Sequence, residues 1–362
     1  MDTRTILRKT AAVLLTAALC TGYTAAQTPE NKSFTNGGFE QDLTGWKTGT
    51  FGSYTKPVIS VESGTVPEGS KALKLSASDD NTRGWAEQRF TVQPGMVYVL
   101  TASIKAEKVT YNRMGIQVIE YPADSDTALS LDIKKTLPIQ IGKNTQDWTL
   151  YETAVKTSPQ THTLTVRAYI GTHGPVKKGA AAWVDGLQIT EQAAGTALNL
   201  LPNAGFEHAN TGSSVWYKER EPAQWTLWTA KGAKGVQAGL DTADKHEGAQ
   251  SVRLQMSSET RLSVHTAAAI DGNKTYRLSA AVKTADITGG VYLRAVYFDA
   301  NNTQIAGKLP TTHIVRGTTP WTDYSVKLTP PPEAVKIKVE CFADNAAGTV
   351  WFDSCTLTEE TE

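Results

Sequence analysis

The residues of this 362-residue chain that could do chemistry are chiefly aromatic, with nine Trp and twelve Tyr against six His and three Cys. A flat indole or phenol ring offers an apolar face to the axial C–H bonds of a pyranose. It leaves the sugar hydroxyls to nearby amides and carboxylates. Other chemistries lack their residues. The six His are scattered with no metal-ligand cluster, and neither Gly-x-Ser-x-Gly nor a phosphate-binding glycine loop occurs. Lys plus Arg number 36 and so do Asp plus Glu. No basic pair longer than Lys134-Lys135 or Lys177-Lys178 follows the first few residues, so the charge excess that attracts nucleic acid or an acidic membrane is missing.

A repeat sorts these rings into scaffold and candidate. Asn36-Gly-Gly-Phe-Glu40 recurs as Asn203-Ala-Gly-Phe-Glu207, an offset of 167. Gly69-Ser-Lys-Ala-Leu-Lys-Leu75 then matches Gly248-Ala-Gln-Ser-Val-Arg-Leu254, and Tyr98 to Lys105 matches Tyr276 to Lys283. Trp148 with Tyr151 pairs with Trp321 and Tyr324, and Trp183 with Asp185 pairs with Trp351 and Asp353. Blocks in one order mean two copies of one domain. Trp46, Trp148 and Trp183 have counterparts in Trp225, Trp321 and Trp351, so these six are expected to pack the sheets or brace strand ends. The candidates are rings present in one copy only: Trp85, Tyr111 and Tyr121 in the first, and Trp216, Tyr217, Trp228, Tyr292 and Tyr297 in the second.

Between the Phe-Glu pair and the next Trp the second copy carries twelve extra residues, which include Trp216-Tyr217 and Lys218-Glu-Arg-Glu221. Adjacent aromatics in a polar insertion predict a ligand platform or a domain contact. The first copy has five extra residues of its own in Gly171–Gly179, which read as a variable surface turn. Alternation in Trp85–Val92 turns Ala86, Gln88, Phe90 and Val92 to the core and Trp85, Glu87 and Arg89 to the other face. Gln88 and His265, taken as counterparts at the offset shared by Gly95 and Gly272, are polar candidates whose final face stays open. Tyr292 and Arg294 alternate with Leu293 and Ala295, away from the core.

The elements that must position these groups are strands. Val97–Ile104, Thr163–Ile170 and Val335–Cys341 alternate with period two, and turn clusters such as Gln93-Pro-Gly95, Asp271-Gly-Asn273 and Pro330-Pro-Pro332 separate them. About 160 residues of this kind per copy predict an all-β fold of two tandem antiparallel β-sandwich (jelly-roll) domains. The expected bounds are 31–191 and 198–362, with a small-residue linker at 192–197. Ahead of them, Arg4, Arg8 and Lys9, the apolar run Ala11–Leu19 and the small residues Thr24-Ala25-Ala26 form the three-part pattern of a signal peptide, residues 1–26. Its removal leaves 33 basic and 35 acidic residues. A lipid anchor on Cys20 competes with this pattern, but Leu19 is larger than the residue that normally precedes a lipidated Cys.

Taken in order, Phe39-Glu40, Gly45-Trp46, Glu68-Gly69 with Leu73 and Leu75, Pro94-Gly95 with Tyr98, Trp148 with Tyr151, and Trp183 with Asp185 resemble the carbohydrate-binding modules of families four, nine and twenty-two. These have a galactose-binding-like jelly roll, and the second copy repeats the series. The resemblance implies a secreted, non-catalytic, monomeric polysaccharide-binding protein with no nucleic-acid partner and no membrane insertion. Its ligand-binding residues would come from Trp85, Gln88, Tyr111, Trp216, Tyr217, Trp228, His265, Tyr292 and Arg294. It also implies a structural Ca²⁺ held by Glu40, a carbonyl near Lys71 and Asp185, then by Glu207, a carbonyl near Gln250 and Asp353, since calcium takes hard oxygen donors. Two functions from other classes stay beside it. One is a cell-surface structural or adhesion spacer, which the lack of an anchor or basic tail in 356–362 opposes. The other is a jelly-roll glycosidase or lyase. Cys341 and Cys355, on the last two strands, are either bonded or a pair of buried thiols.

Overall fold

The alternating segments become strands throughout, and among the described residues there is no helix. The structure is a computed structural model and describes residues 34–109, 113–123, 125–131, 138–141, 145–210, 215–216, 219–307 and 309–360. The signal segment and the candidate rings Tyr111 and Tyr217 lie outside the described residues.

The first copy contributes β1 (Lys47–Thr50), β2 (Val58–Ser63), β3 (Lys71–Ser76), β4 (Gly84–Thr91), β5 (Val97–Glu107), β6 (Met114–Tyr121), β7 (Ile139–Gln140), β8 (Gln146–Lys156), β9 (Thr163–Ile170) and β10 (Ala181–Glu191). They form two antiparallel sheets, β1-β4-β9-β6-β7 and β2-β3-β10-β5-β8. Successive strands β3 and β4, β5 and β6, and β9 and β10 alternate between the sheets. Their inward residues, such as Leu73, Ile104 and Val184 on one side and Ala86, Val166 and Ile116 on the other, make one core.

The second copy contributes β11 (Val215–Trp216), β12 (Glu219–Arg220), β13 (Thr226–Thr229), β14 (Val236–Asp241), β15 (Ser251–Ala269), β16 (Thr275–Phe298), β17 (Val315–Leu328) and β18 (Lys336–Glu360). The order is β13-β15-β18-β16-β17, with β14 also on β15 and β11 paired with β12. Here β15, β16 and β18 each run through both layers, doing in one bent strand what two strands do in the first copy. Irregular register between Met256 and Thr260 marks the bend of β15. A second core, with Leu254, Leu278 and Phe352 against Val264, Leu293 and Val339, fills this sandwich.

The Asn-x-Gly-Phe-Glu motif is a turn whose backbone needs its Asn. Asn36 and Phe39 both have φ 57, and Asn203 and Phe206 have φ 43 and 58. Asn tolerates this left-handed region because its short amide bonds locally. Asn36 Oδ1 accepts from the Gln41 N–H at 2.9 Å while its Nδ2 donates to the Asp42 carbonyl at 2.8 Å. Asn203 makes the same pair with His208, at 3.0 and 2.8 Å. The turn drives Phe39 and Phe206 into the cores against Trp46 and Trp225, with ring centroids 5.0 and 4.7 Å apart. The other shared Trp residues are not core. Trp183 and Trp351 are half-buried, with indole N–H groups donating to Glu62 at 3.2 Å and Asp241 at 2.9 Å. Lys74 and Lys283 lie over these rings at 4.8 and 5.1 Å, so they brace a sheet surface.

Among the described residues the copies touch where Gln224 and His208 meet Glu152. Gln224, at φ 64, accepts from the Glu152 N–H and donates to the Glu152 carbonyl at 3.0 Å, as a neighbouring strand would. His208 Nε2 lies 2.9 Å from the Glu152 carboxylate. Cys341 and Cys355 are buried free thiols with sulfur atoms 3.9 Å apart.

Candidate functional site

The outward face of the β1-β4-β9-β6 sheet and its counterpart in the second copy carry most of the candidate side chains. Cross-strand register lines them up in rows. In the first copy one row runs Gly49, Trp85, Tyr169, Gly115 and the next Lys47, Glu87, Arg167, Gln117. In the second copy the matching rows are Trp228, Ser263, Phe342, Tyr292 and Thr226, His265, Glu340, Arg294. The match is fixed by Trp46 and Trp225, since the residue after each opens the second row.

This register corrects one expectation. Lys47 pairs with Glu87, and Thr226 pairs with His265, so the counterpart of His265 is Glu87 and not Gln88. Gln88 points the other way, as alternation has it. Its amide clamps the chain at Thr35, accepting from the N–H at 2.9 Å and donating to the carbonyl at 2.7 Å, and it does not line the outward face. His265 does line that face. Its imidazole is held below the ordinary histidine range by burial and then by Lys338, against the opposing pull of Glu340.

The second copy's face is an aromatic strip. Phe342 is buried at the centre, stacked beneath Trp228 at 6.2 Å and Tyr292 at 5.5 Å, with interplanar angles of 20° and 21°. The Arg294 guanidinium covers the same ring at 3.9 Å and pairs with Glu340 at 2.5 Å. Trp228 is 44% exposed, so its free face is open to a ligand. Tyr292 donates to Asp344 at 3.2 Å, and burial followed by the Asp344 charge raises its hydroxyl pKa. Beside the strip, Ser263 Oγ and His265 Nδ1 are buried polar atoms with no partner among the described residues. Buried polar groups are ordinarily satisfied, so these two atoms leave hydrogen-bonding capacity unused beneath the aromatic face.

The first copy places its Trp in the same row but one strand over. Gly49 occupies the position of Trp228, and Trp85 that of Ser263. The exchange is forced sterically, because a Cβ at position 49 would lie 2.4 Å from the Trp85 ring. Arg167 sits over Trp85 at 4.8 Å and pairs with Glu87, while Phe51 packs on Tyr169 at 5.4 Å. This face is therefore more filled by its own side chains than that of the second copy.

Trp216 does not hold to the expectation of an exposed platform. Its ring is 8% exposed and belongs to the second core, because β11 folds back on β12 and carries the insertion's aromatic inward. Tyr297 is core as well, and burial pushes its hydroxyl up to about 12. The structure thus gathers Trp228, His265, Tyr292 and Arg294 on one face and Trp85 on the other copy's face, and leaves Gln88 and Trp216 out. Phe342, Ser263 and Glu340 are members that sequence reading missed. The only signal for them was their outward parity, which many other residues share.

The expected metal groups form a knot in each copy. Glu40 accepts from the Ser70 and Lys71 N–H groups at 2.7 and 2.8 Å and from the Ser70 hydroxyl at 2.8 Å. Asp185 accepts from the Glu68 and Gly186 N–H groups, both at 2.8 Å. Asp353 holds His246, Glu247 and Ser354 in the same way, and Glu207 holds Ala249. Lys71 enters with its ammonium, 3.3 Å from the Glu40 carbonyl, and Gln250 with an amide donating to the Phe206 and Glu207 carbonyls, both at 3.0 Å. Among the described residues no three His, Cys, Asp or Glu gather closely enough to hold a metal. The donors are nonetheless hard oxygens crowded by like charge. Burial, with Glu68 and Glu40 nearby, pushes Asp185 up to about 6, and Asp353 is raised for the same reasons, with Glu207 beside it.

Comparison with known proteins follows this division. Residues 203–357 match the family model CBM_4_9_1, described as BppA domain 1. Residues 23–176 match DUF642, described as a protein of unknown function. A search of curated proteins finds no match. Among solved structures, the tandem CBM22-1-CBM22-2 domain of Paenibacillus barcinonensis Xyn10C is 13% identical, with 93% of this chain and 100% of that one covered and a TM-score of 0.35. TmCBM61 in complex with β-1,4-galactotriose is 18% identical over 45% of this chain and 99% of that one, with a TM-score of 0.31. Residues 203–357 are thus similar to the carbohydrate-binding module model CBM_4_9_1.

Proposed function

We propose, starting from the likeness of the second copy to carbohydrate-binding modules, that this is a secreted, monomeric, non-catalytic protein that binds polysaccharide, most strongly through that copy. The observation that carries the reading is the outward row Trp228, Phe342 and Tyr292, in which Trp228 is exposed to solvent. An open indole supplies a stacking face for a pyranose ring. Glu87 and Glu340, the carboxylates of the two second rows, are each committed to an Arg. That supports binding over hydrolysis, which needs a pair of carboxyl groups free to donate and accept protons. The leader pattern of residues 1–26 supports secretion, and the balanced charge supports a glycan partner over nucleic acid.

A structural calcium ion at each carboxylate knot belongs to the same proposal. Glu40 and Asp185, and Glu207 and Asp353, would hold it together with neighbouring backbone carbonyls. The ion would neutralise charge that the fold crowds together. The proposal is tested by native affinity electrophoresis of the full mature chain in gels containing soluble β-glucan, xylan or mannan, with reducing-end release assayed in parallel. Retardation by at least one glycan without new reducing ends is expected. Retardation by none would pass the lead to a structural spacer, and steady release of reducing ends would make the protein an enzyme.

A further inference from the structure

The two outward faces differ in one respect that stacking does not explain, namely charge at the Trp-row end of the sheet. In the second copy Arg261 Nε donates to Asp344 at 2.9 Å, and Gly290 pairs with Asp344 across the sheet, so the site is balanced. Following the register of Ser263 with Phe342 and of Trp85 with Tyr169, the first copy has Arg83 in place of Arg261 and Gly171 in place of Asp344. On the next strand Arg113 takes the place of Gly290, and its carbonyl accepts from the Gly171 N–H at 2.6 Å. One carboxylate is lost and one guanidinium gained.

The first copy holds this excess charge in place without neutralising it. Arg83 lies over Phe51, Tyr54 and Tyr169 at 5.4, 5.2 and 5.4 Å and donates through Nε to the Tyr169 hydroxyl. Among the described residues no carboxylate pairs with Arg83 or Arg113, whereas Arg89 and Arg167 have Asp126 and Glu87. Gly171, at φ 88, is required here, since a Cβ would lie 2.9 Å from Arg83 Cγ. At Gly174 a Cβ would fall 2.0 Å from an Arg113 guanidinium nitrogen. The loop between these glycines presents exposed His173, whose pKa is lowered by partial burial and then by Arg113 and Arg83. The five extra residues of the first copy, which in sequence resemble an idle turn, therefore close around two guanidinium groups beside an aromatic cluster.

We propose that the outward face of the first copy binds an acidic polysaccharide, with Arg83 and Arg113 receiving a uronate carboxylate. A guanidinium fork matches a planar carboxylate with two parallel N–H donors. The copies would then have different ligands, acidic for the first and neutral for the second. This inference rests on the glycan-binding reading above and narrows it for one copy.

The test uses the full mature chain and polygalacturonate, with its fully methyl-esterified form, dextran sulfate and polyphosphate as comparison polymers. Binding to polygalacturonate that weakens with salt and is lost on esterification is expected. Arg113→Gln should weaken it roughly tenfold or more, as removal of a charge-assisted pair does. Arg83→Gln is the second variant, and a melting curve for each separates a lost contact from a lost fold. Trp228→Ala should leave polygalacturonate binding intact. Retention of a neutral glycan but not polygalacturonate would overturn this inference and leave glycan binding by the second copy standing, whereas retention of neither would sink both. Equal retention by polyphosphate or dextran sulfate, or folded Arg83→Gln and Arg113→Gln proteins that bind as the parent does, would also overturn it.

Discussion

Trp228→Ala is the substitution that most directly separates a binding face from a decorated sheet. The ring is 44% exposed, and a Trp side chain carries roughly 250 Å² of surface, so about 110 Å² is open to a sugar. At about 25 cal/mol per Å², covering all of it contributes roughly 2.8 kcal/mol and covering one half about 1.4 kcal/mol. The expected loss is therefore roughly tenfold to a hundredfold in Kd. The remainder of the ring packs against Phe342, so some folding stability is lost as well, with a ceiling of about 3.5 kcal/mol by the same area rule. Titration calorimetry with the best neutral glycan, run well below the melting temperature of both proteins, measures the loss. Near-ultraviolet circular dichroism checks that the core is intact. An unchanged Kd in a folded Trp228→Ala protein would refute the assignment of the strip, because among the described residues no other ring on that face is exposed. Trp85→Ala, on the other copy, should leave this Kd unaltered.

Further outcomes follow from the knots and the domain contact. Asp185 has its pKa raised from 3.8 to about 6, so its folded state holds a proton that the unfolded state has released. The associated stability is complete below pH 3.8 and lost as pH rises through about 6. In chelator, the melting temperature of the parent relative to Asp185→Asn should accordingly fall between these limits, and millimolar calcium should remove the fall. A pH-independent difference, or no effect of calcium, counts against the knot as a cation site. Gly248→Ala puts a Cβ 1.9 Å from the Glu207 carboxylate at φ 62 and should destabilise the second copy by about 1–3 kcal/mol, read as a lower melting temperature than the parent's. Gln224→Ala removes both bonds to the Glu152 backbone, and a loss of about 1–2 kcal/mol in domain coupling should split calorimetric unfolding into two transitions. A single, unshifted transition would show that the contact does not couple the copies.

Much of the fold was legible because its causes are local. The Asn-x-Gly-Phe-Glu turn needs an amide at a left-handed position and a ring three residues after it, and both copies spell this out. Alternation correctly sent Trp85, Glu87, Tyr292 and Arg294 away from the core, since successive side chains on a strand must take opposite faces. Parity failed where it met an insertion or a shifting offset. Trp216 stands in a polar loop that folds its ring inward, and Gln88 was aligned with His265 when the sheet aligns His265 with Glu87.

What tertiary structure decided was adjacency between strands. Trp228 and Phe342 are 114 residues apart, and Trp228 and Tyr292 are 64 apart. Only sheet register brings them to one ring stack with Arg294 above it. The same holds for the exchange of Trp between Gly49–Trp85 and Trp228–Ser263, and for Asp344 standing where the first copy has Gly171. A sequence fixes which face a side chain takes through the geometry of its own backbone. Its neighbour across the sheet is set by long loops closing and cores filling, and those depend on the whole chain.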